Sequence, residues 1–353
     1  MDPQARTLPS SLDLVLLSLS LCLSALGCGK GASASAASEE ARDGFEQLEL
    51  RYQGGAGQVS YPELAESLGY LAPLKLVHVG NTISGPQDIQ TVVTGDTDFG
   101  GAFNGAILKL VAAKAPIRAV IGLAGVDPQT FYGFYVPTES RIRGPRDLIG
   151  KKIAMNTLGA HHEFVLREYL ARGGLTKAEV DQVTLVALPP ANTEQTLRSG
   201  QVDVGVLGSI HRDKALERGG LRPLFTDYEL FGQMTSASYV VHERLLRTSP
   251  KTVGRLVEGV AKAIEWARTT PHEALIARLE SIIAQRKRAE DATLVRYFRP
   301  VRGETRGGVL TDLQFQRWID WLVRDGQLRE GQIRANQVYT NDFNPFARAE
   351  AQR

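Results

Sequence analysis

Two short runs hold the residues best suited to chemistry. His161-His162-Glu163 offers two imidazoles and a carboxylate. A zinc-protease helix sets its histidines four apart so that both face one metal; adjacent histidines point to different faces. Gly55-Ala56-Gly57-Gln58-Val59-Ser60 is a shortened dinucleotide fingerprint, with Ser60 where the third glycine belongs. The next strand ends Val79-Gly80-Asn81 and lacks the acid that would hold a ribose. The remaining histidines are scattered, and no serine elbow motif is present. No catalytic residue, metal site or cofactor is expected, and the chain does not read as an enzyme.

A second set of residues suits binding rather than catalysis. Gln53-Gly54, Asn81-Thr82, Gly101 to Asn104 and Asn156 to His161 each follow an apolar run and precede a helical one. At such turns the unpaired N–H groups and positive end of a helix can hold an anionic group without a formal cation. Within them Gln53, Gly54, Asn81, Thr82, Gly101, Phe103, Asn104, Asn156, Thr157, Gly159 and His161 are the candidate ligand-binding residues. Ser209 and His211, with Arg212 beside them, supply a facing wall. Each has a plainer reading: Asn81 and Asn104 as turn formers, Phe103 as core, the histidines as helix-start residues.

Those turns need a scaffold of alternating strands and helices. Apolar runs at Leu48–Tyr52, Leu74–Val79, Thr97–Gly100 and Ile117–Leu123 predict four strands. Runs near Phe134–Val136, Lys152–Met155, Val183–Leu188, Val202–Leu207, Leu221–Phe225 and Ser238–His242 predict six more. Ser60-Tyr61-Pro62-Glu63 carries a capping-box signature, and His161 to Arg172 reads as a helix closed by Gly173-Gly174. Such alternation with short connections predicts parallel βαβ units. Beyond Ser249 the chain is helical: Val253, Leu256, Val257, Val260 and Ile264 share one face, and Leu313, Trp318 and Leu322 are expected inward on a later helix.

The chain has 353 residues, enough for two ordinary lobes, and its 41 basic and 39 acidic residues leave a net charge of +2. That balance provides no electrostatic footprint for nucleic acid. Leu12 to Leu26 is apolar, with Asp13 its single charge, and suits an export signal better than a membrane span. It ends in Ala25-Leu26-Gly27-Cys28, which resembles the lipobox of bacterial lipoproteins, where the cysteine is acylated and becomes the new N-terminus. The alternative is an ordinary cleaved signal with an incidental cysteine. With Cys22 removed and Cys28 modified, no thiol is left in the folded body. Gly29 to Gly44, rich in Ala, Ser and Gly, reads as a flexible tether.

Four phrases follow one another along the chain: Gly95-Asp96-Thr97-Asp98-Phe99-Gly100, Pro145-Arg146-Asp147-Leu148-Ile149-Gly150-Lys151-Lys152-Ile153-Ala154, Ser199-Gly200-Gln201-Val202-Asp203, and Tyr339-Thr340-Asn341-Asp342-Phe343-Asn344-Pro345. Together they resemble the aliphatic-sulfonate, taurine and nitrate group of ABC-transporter substrate-binding proteins, within the superfamily that includes thiamine-pyrimidine-precursor binders. The resemblance implies an α/β fold of the two-lobed periplasmic-binding-protein type II, joined by two crossover strands, here near Phe134 and Val240. The expected division is a lipoprotein signal over 1–28, a tether over 29–44, and a discontinuous first lobe over 45–136 plus 238–346. The second lobe would occupy 137–237 and a tail 347–353. The implied function is capture of a small solute, sulfonate- or nitrate-like, outside the cytoplasm, for an ABC permease and its ATPase, with Cys28 holding the protein to the membrane. Alternatives are a sensory binding subunit, a binder of a pyrimidine or other small organic solute, and, last, an exported enzyme.

Overall fold

The computed structural model describes residues 44–288, 290–300 and 304–350. Cys28, the signal segment and most of the tether lie outside the described residues. The strands are β1 (Glu49–Gly54), β2 (Lys75–Asn81), β3 (Phe99–Phe103), β4 (Ile117–Val126), β5 (Tyr132–Pro137), β6 (Lys152–Met155), β7 (Thr184–Ala187), β8 (Val204–Gly208), β9 (Leu221–Thr226) and β10 (Met234–His242). Each of the predicted strands has a counterpart here, with ends shifted by a few residues.

The strands form two assemblies of the same plan. In the first, β1 pairs with β2 in parallel, and β10 lies antiparallel between β3 and β4. Asp98 joins the two pieces: its N–H donates to the Arg51 carbonyl at 2.9 Å, and its Oδ2 accepts the Arg51 N–H at 2.7 Å. The succession is therefore β2-β1-β3-β10-β4. The second sheet runs β7-β6-β8-β5-β9. In both, the order is second, first, third, visitor, fourth, where the visitor is the strand that has crossed from the other half. The visitors β10 and β5 run antiparallel to their neighbours, because each enters its sheet from the opposite side. Purely parallel pairing, as expected from the alternation, holds for β1–β2, β6–β7 and β6–β8. The crossover strands expected near Phe134 and Val240 are these visitors, β5 and β10, and the segments that lead into them are 127–131 and 227–233. Phe134 is buried inside β5, stacked on Phe225 at 4.2 Å, and Val240 lies in β10 opposite Gly100 and Ala119.

Helices cover both faces. Pro250–Thr269 buries Val253, Leu256, Val257, Val260 and Ile264 against Leu50, Leu64 and Leu71. Each fully buried aliphatic side chain there adds about 1.5–3 kcal/mol. On the opposite face Asp312–Arg324 packs Phe315, Trp318 and Leu322 against Ile107 and Leu108. Leu313, expected inward, is 65% exposed: it lies five residues before Trp318, well off the buried stripe, and Phe315 at i−3 takes its place. The second sheet has its own core of Phe134, Ile153, Met155, Val165, Leu166 and Leu170. The predicted capping box is present, Glu63 Oε2 accepting from the Ser60 N–H at 2.8 Å. The chain's last helix, Pro345–Glu350, runs through the point where a tail was expected to begin.

Candidate binding cleft

Strand ends determine where a ligand can sit. In α/β sheets the carboxyl ends of the strands, and the helix starts beyond them, are left open. Here both sheets turn those ends toward a common cleft of about 530 Å³, and a smaller chamber of about 140 Å³ shares Gly85, Tyr132, Asn156 and His162 with it. The first half contributes Tyr52, Gln53 and Gly54 from β1, Thr82 to Gly85 after β2, Asp88 from the helix Gly85–Thr94, Phe99 to Gly101 from β3, and Tyr239 from β10. The second half contributes Asn156 after β6, Pro189 to Ala191 and Thr193 after β7, and Ser209 to His211 after β8.

The floor is aromatic. Tyr52 stacks on Phe99 at 5.7 Å, and Phe99 meets Tyr239 edge-on at 5.9 Å. A side chain at Gly101 would strike Leu123 and Tyr239, so the floor depends on glycine there. Tyr132 lies so close over Gly208 that a Cβ would overlap its ring.

The cleft's polar groups are incompletely paired. Gln53 Oε1, Asp88 Oδ1, His162 Nδ1 and Thr193 Oγ1 all line it, are buried, and have no hydrogen-bond partner in the protein. Asp88 is 7% exposed; its Oδ2 accepts the Gly101 N–H at 2.6 Å, which leaves Oδ1 over. Burial raises the Asp88 pKa to about 7, and the Gly101 hydrogen bond opposes part of that rise. Burial also pushes His162 down to about 3, with the charge of His161 adding to the effect, so His162 is neutral at ordinary pH. Among the described residues no Lys or Arg lines the cleft. Arg288, close to Gly54 at the end of β1, donates to the Tyr52 hydroxyl at 3.0 Å and lies 3.6 Å from Glu63 and 3.9 Å from Glu290. Its charge is already matched.

Known proteins share this fold. The sequence model described as NMT1/THI5 like matches residues 65–274, more than half of the chain. The chain belongs to the NMT1/THI5-like family. A Brucella abortus (strain 2308) protein named as a binding protein is 22% identical over 198 residues, 54% of this chain and 57% of that one. The chain thus spans little more than half the length of the curated relatives it matches. The alkanesulfonate-binding protein SsuA of Xanthomonas axonopodis pv. citri, solved with MOPS bound, superposes at TM-score 0.65 with 21% identity, covering 84% of this chain and 99% of that one. The desulfurization enzyme DszB superposes at 0.58 with 18% identity, covering 87% and 99%. These likenesses show the periplasmic-binding-protein-like fold, on which both binding proteins and an enzyme have been built.

This NMT1/THI5-like protein places the residues singled out from its sequence unevenly. Gln53, Gly54, Thr82, Gly101, Asn156, Ser209 and His211 line the main cleft. Phe103, Thr157 and His161 line only the smaller chamber. Asn81 lies at the exposed end of β2, outside both linings. Asn104 is fully buried behind the floor, accepting from Ser238 Oγ at 2.7 Å and donating to the Thr235 carbonyl at 3.4 Å, so it fastens a helix start to β10. Gly159 lines neither chamber. Its φ of +70° explains the glycine, and the nearest atom to an added Cβ would be Lys109 Nζ at 4.0 Å. Of the two histidines, His161 is tied to Asp227 at 2.8 Å, whereas His162, passed over in the sequence, faces the main cleft. Arg212, named beside the facing wall, donates to the carbonyls of Phe131 at 3.0 Å and Gln129 at 2.7 Å.

Asp88, Tyr132, His162, Thr193 and Tyr239 were missed. Asp88 left a detectable sign: it sits one turn before Val92 on the buried stripe of its helix, where an acid is out of place.

Proposed function

We propose that this chain is the extracytoplasmic solute-binding component of an ABC importer. It captures a small organic solute between its two lobes and hands it to a permease with its ATPase, tethered to the membrane through acylated Cys28. One observation carries the reading: a cleft of about 530 Å³, walled by both halves and lined with buried polar atoms that lack protein partners. A volume of that order suits a drug-sized or smaller solute. The chain passes between the halves at two short segments, which suits hinge closure. An acidic head on the solute, as in a sulfonate, would be met by backbone N–H groups where the helices Pro190–Arg198 and Ser209–Glu217 begin. Among the described residues no helix is long and apolar enough to cross a membrane.

The test is a thermal-shift screen of the purified protein against sulfonates, nitrate, pyrimidines and amino compounds. A true solute at a hundred times its Kd adds about 2.7 kcal/mol to stability. A hit should also compact the protein in small-angle scattering. A screen without hits, or unchanged dimensions with a confirmed hit, counts against the reading. Cys28→Ser should move the protein from membrane to soluble fraction; retention in the membrane would remove the anchor.

An enzymatic reading has one observation in its favour. Ser209 opens the helix that follows β8 with φ +48°, the left-handed backbone of a nucleophile elbow. Among the described contacts no histidine hydrogen-bonds its hydroxyl. Without a base the serine is a strained binding residue rather than a nucleophile.

A further inference from the structure

The unpaired oxygen of Asp88 restricts the chemistry of the solute. Resting on the solute-binding reading above, we infer that the solute presents a protonated or N–H-bearing nitrogen to Asp88, over the aromatic floor of Tyr52, Phe99 and Tyr239. Three observations converge. First, Asp88 is 7% exposed and lines the cleft, and one carboxylate oxygen is held by Gly101 while the other has no protein partner. A buried carboxylate oxygen left without a donor is costly, and a ligand N–H is the group that would satisfy it. Second, no basic side chain lines the cleft among the described residues to compensate the acid, and Arg286 and Arg288 are matched by Glu63 and Glu290. Third, among this half's cleft-lining residues the other unpaired atom, Gln53 Oε1, is also an acceptor, and aromatic faces attract cations. The carboxylate's raised pKa agrees, since a cation beside it would restore ionisation.

The inference does not forbid an acidic group elsewhere on the solute. Such a group belongs across the cleft, at the helix starts of the second half, away from Asp88. A solute that is only an anion has nothing to offer the acid and is repelled by it when ionised.

The experiment compares matched probes differing in one nitrogen: taurine with ethanesulfonate, and 4-aminopyrimidine with pyrimidine. Isothermal calorimetry is run on the wild type and on Asp88→Asn. The variant keeps an oxygen for the Gly101 N–H, so folding should survive; circular dichroism checks it. The expected result is that a nitrogen-bearing probe binds the wild type about tenfold or more tighter than its partner, and that Asp88→Asn removes most of that preference. Three results overturn the inference. If a nitrogen-free probe binds as well as its partner, the binding reading stands and the role of Asp88 falls. That role falls equally if the preference survives unchanged in Asp88→Asn. If no probe binds the wild type, the inference falls, and a negative broad screen would take the solute-binding reading with it.

Discussion

The two crossings between the halves and the cleft beside them handle buried charged groups in opposite ways, although Thr130 Oγ1 and His161 Nδ1 at the crossings also lack a partner. At the crossings each charged group is engaged. Asp227, fully buried, accepts the Tyr132 N–H at 2.9 Å with one oxygen and meets His161 Nε2 at 2.8 Å with the other. Arg212 directs its guanidinium to the Phe131 and Gln129 carbonyls and to Asp213, and lies over the Phe131 ring at 4.1 Å. In the cleft, Asp88 has half of its carboxylate paired, and Gln53, His162 and Thr193 each hold an unpartnered atom. One residue step separates a histidine tied to the crossing through its Nε2, His161, from one that faces the main cleft, His162. Paired buried groups hold the fold together, and unpaired ones reduce its stability until something else binds them.

Removing a paired charge should have the largest effect. Asp227→Ala strands the Tyr132 N–H and the His161 ring inside the protein, and should destabilise it by about 3–5 kcal/mol in urea unfolding. Arg212→Ala should fall in the same range. If either variant loses less than about 1 kcal/mol, the crossings are not the braced region described here.

Asp88→Asn should do the reverse. The folded-state pKa of Asp88 is raised from 3.8 to about 7. The native state therefore binds a proton more tightly than the unfolded chain, and its stability falls as pH rises from about 4 through 7, then levels off. Asparagine escapes that loss. The variant should match the wild type near pH 4 and exceed it at pH 8 by a few kcal/mol, about 4 at most at 1.36 kcal/mol per pKa unit. Calorimetric melting at the two pH values decides it. A variant less stable than wild type at pH 8 would mean that Asp88 is structural after all.

The same contrast explains what could be seen in the sequence. Strands were legible because short apolar runs such as Ile117–Leu123 and Leu221–Phe225 are bounded by turn residues and must be buried. The helix Pro190–Arg198 was not, since it buries only Thr193 and Leu197 and offers no apolar stripe. Nor could the antiparallel visitors β5 and β10 be foreseen, because their direction depends on which sheet the chain enters. Residues near strand ends, such as Gln53 and Asn156, were placed by topology alone. Asn104 occupies an equally suitable position in sequence, yet its amide faces β10 and not the cleft. Which way a turn side chain points depends on long-range packing, as Ser238 beside Asn104 illustrates.

The smallest expected effect is the most discriminating, because it compares one substitution at two buried threonines. Thr252 is fully buried; its hydroxyl lies within donating reach of the Gln47 carbonyl at 3.0 Å and Glu46 Oε2 at 3.1 Å, and accepts the Gln47 N–H at 3.3 Å. Thr193 is 1% exposed, lines the cleft, and its hydroxyl has no protein partner. Valine has nearly the shape of threonine without the hydroxyl. Thr252→Val leaves Gln47 and Glu46 with broken bonds and should cost about 1–3 kcal/mol. Thr193→Val removes a hydroxyl that gains nothing from the fold, so stability should stay within about 0.5 kcal/mol of wild type or rise slightly. Binding should move the other way: Thr193→Val weakens the solute by about 0.5–1.5 kcal/mol, and Thr252→Val leaves its affinity unchanged. Chemical denaturation and calorimetry on both variants separate these outcomes. If Thr193→Val destabilises the protein as much as Thr252→Val and leaves binding untouched, its hydroxyl has a structural partner, and the division between braced crossings and unpaired cleft fails at that residue.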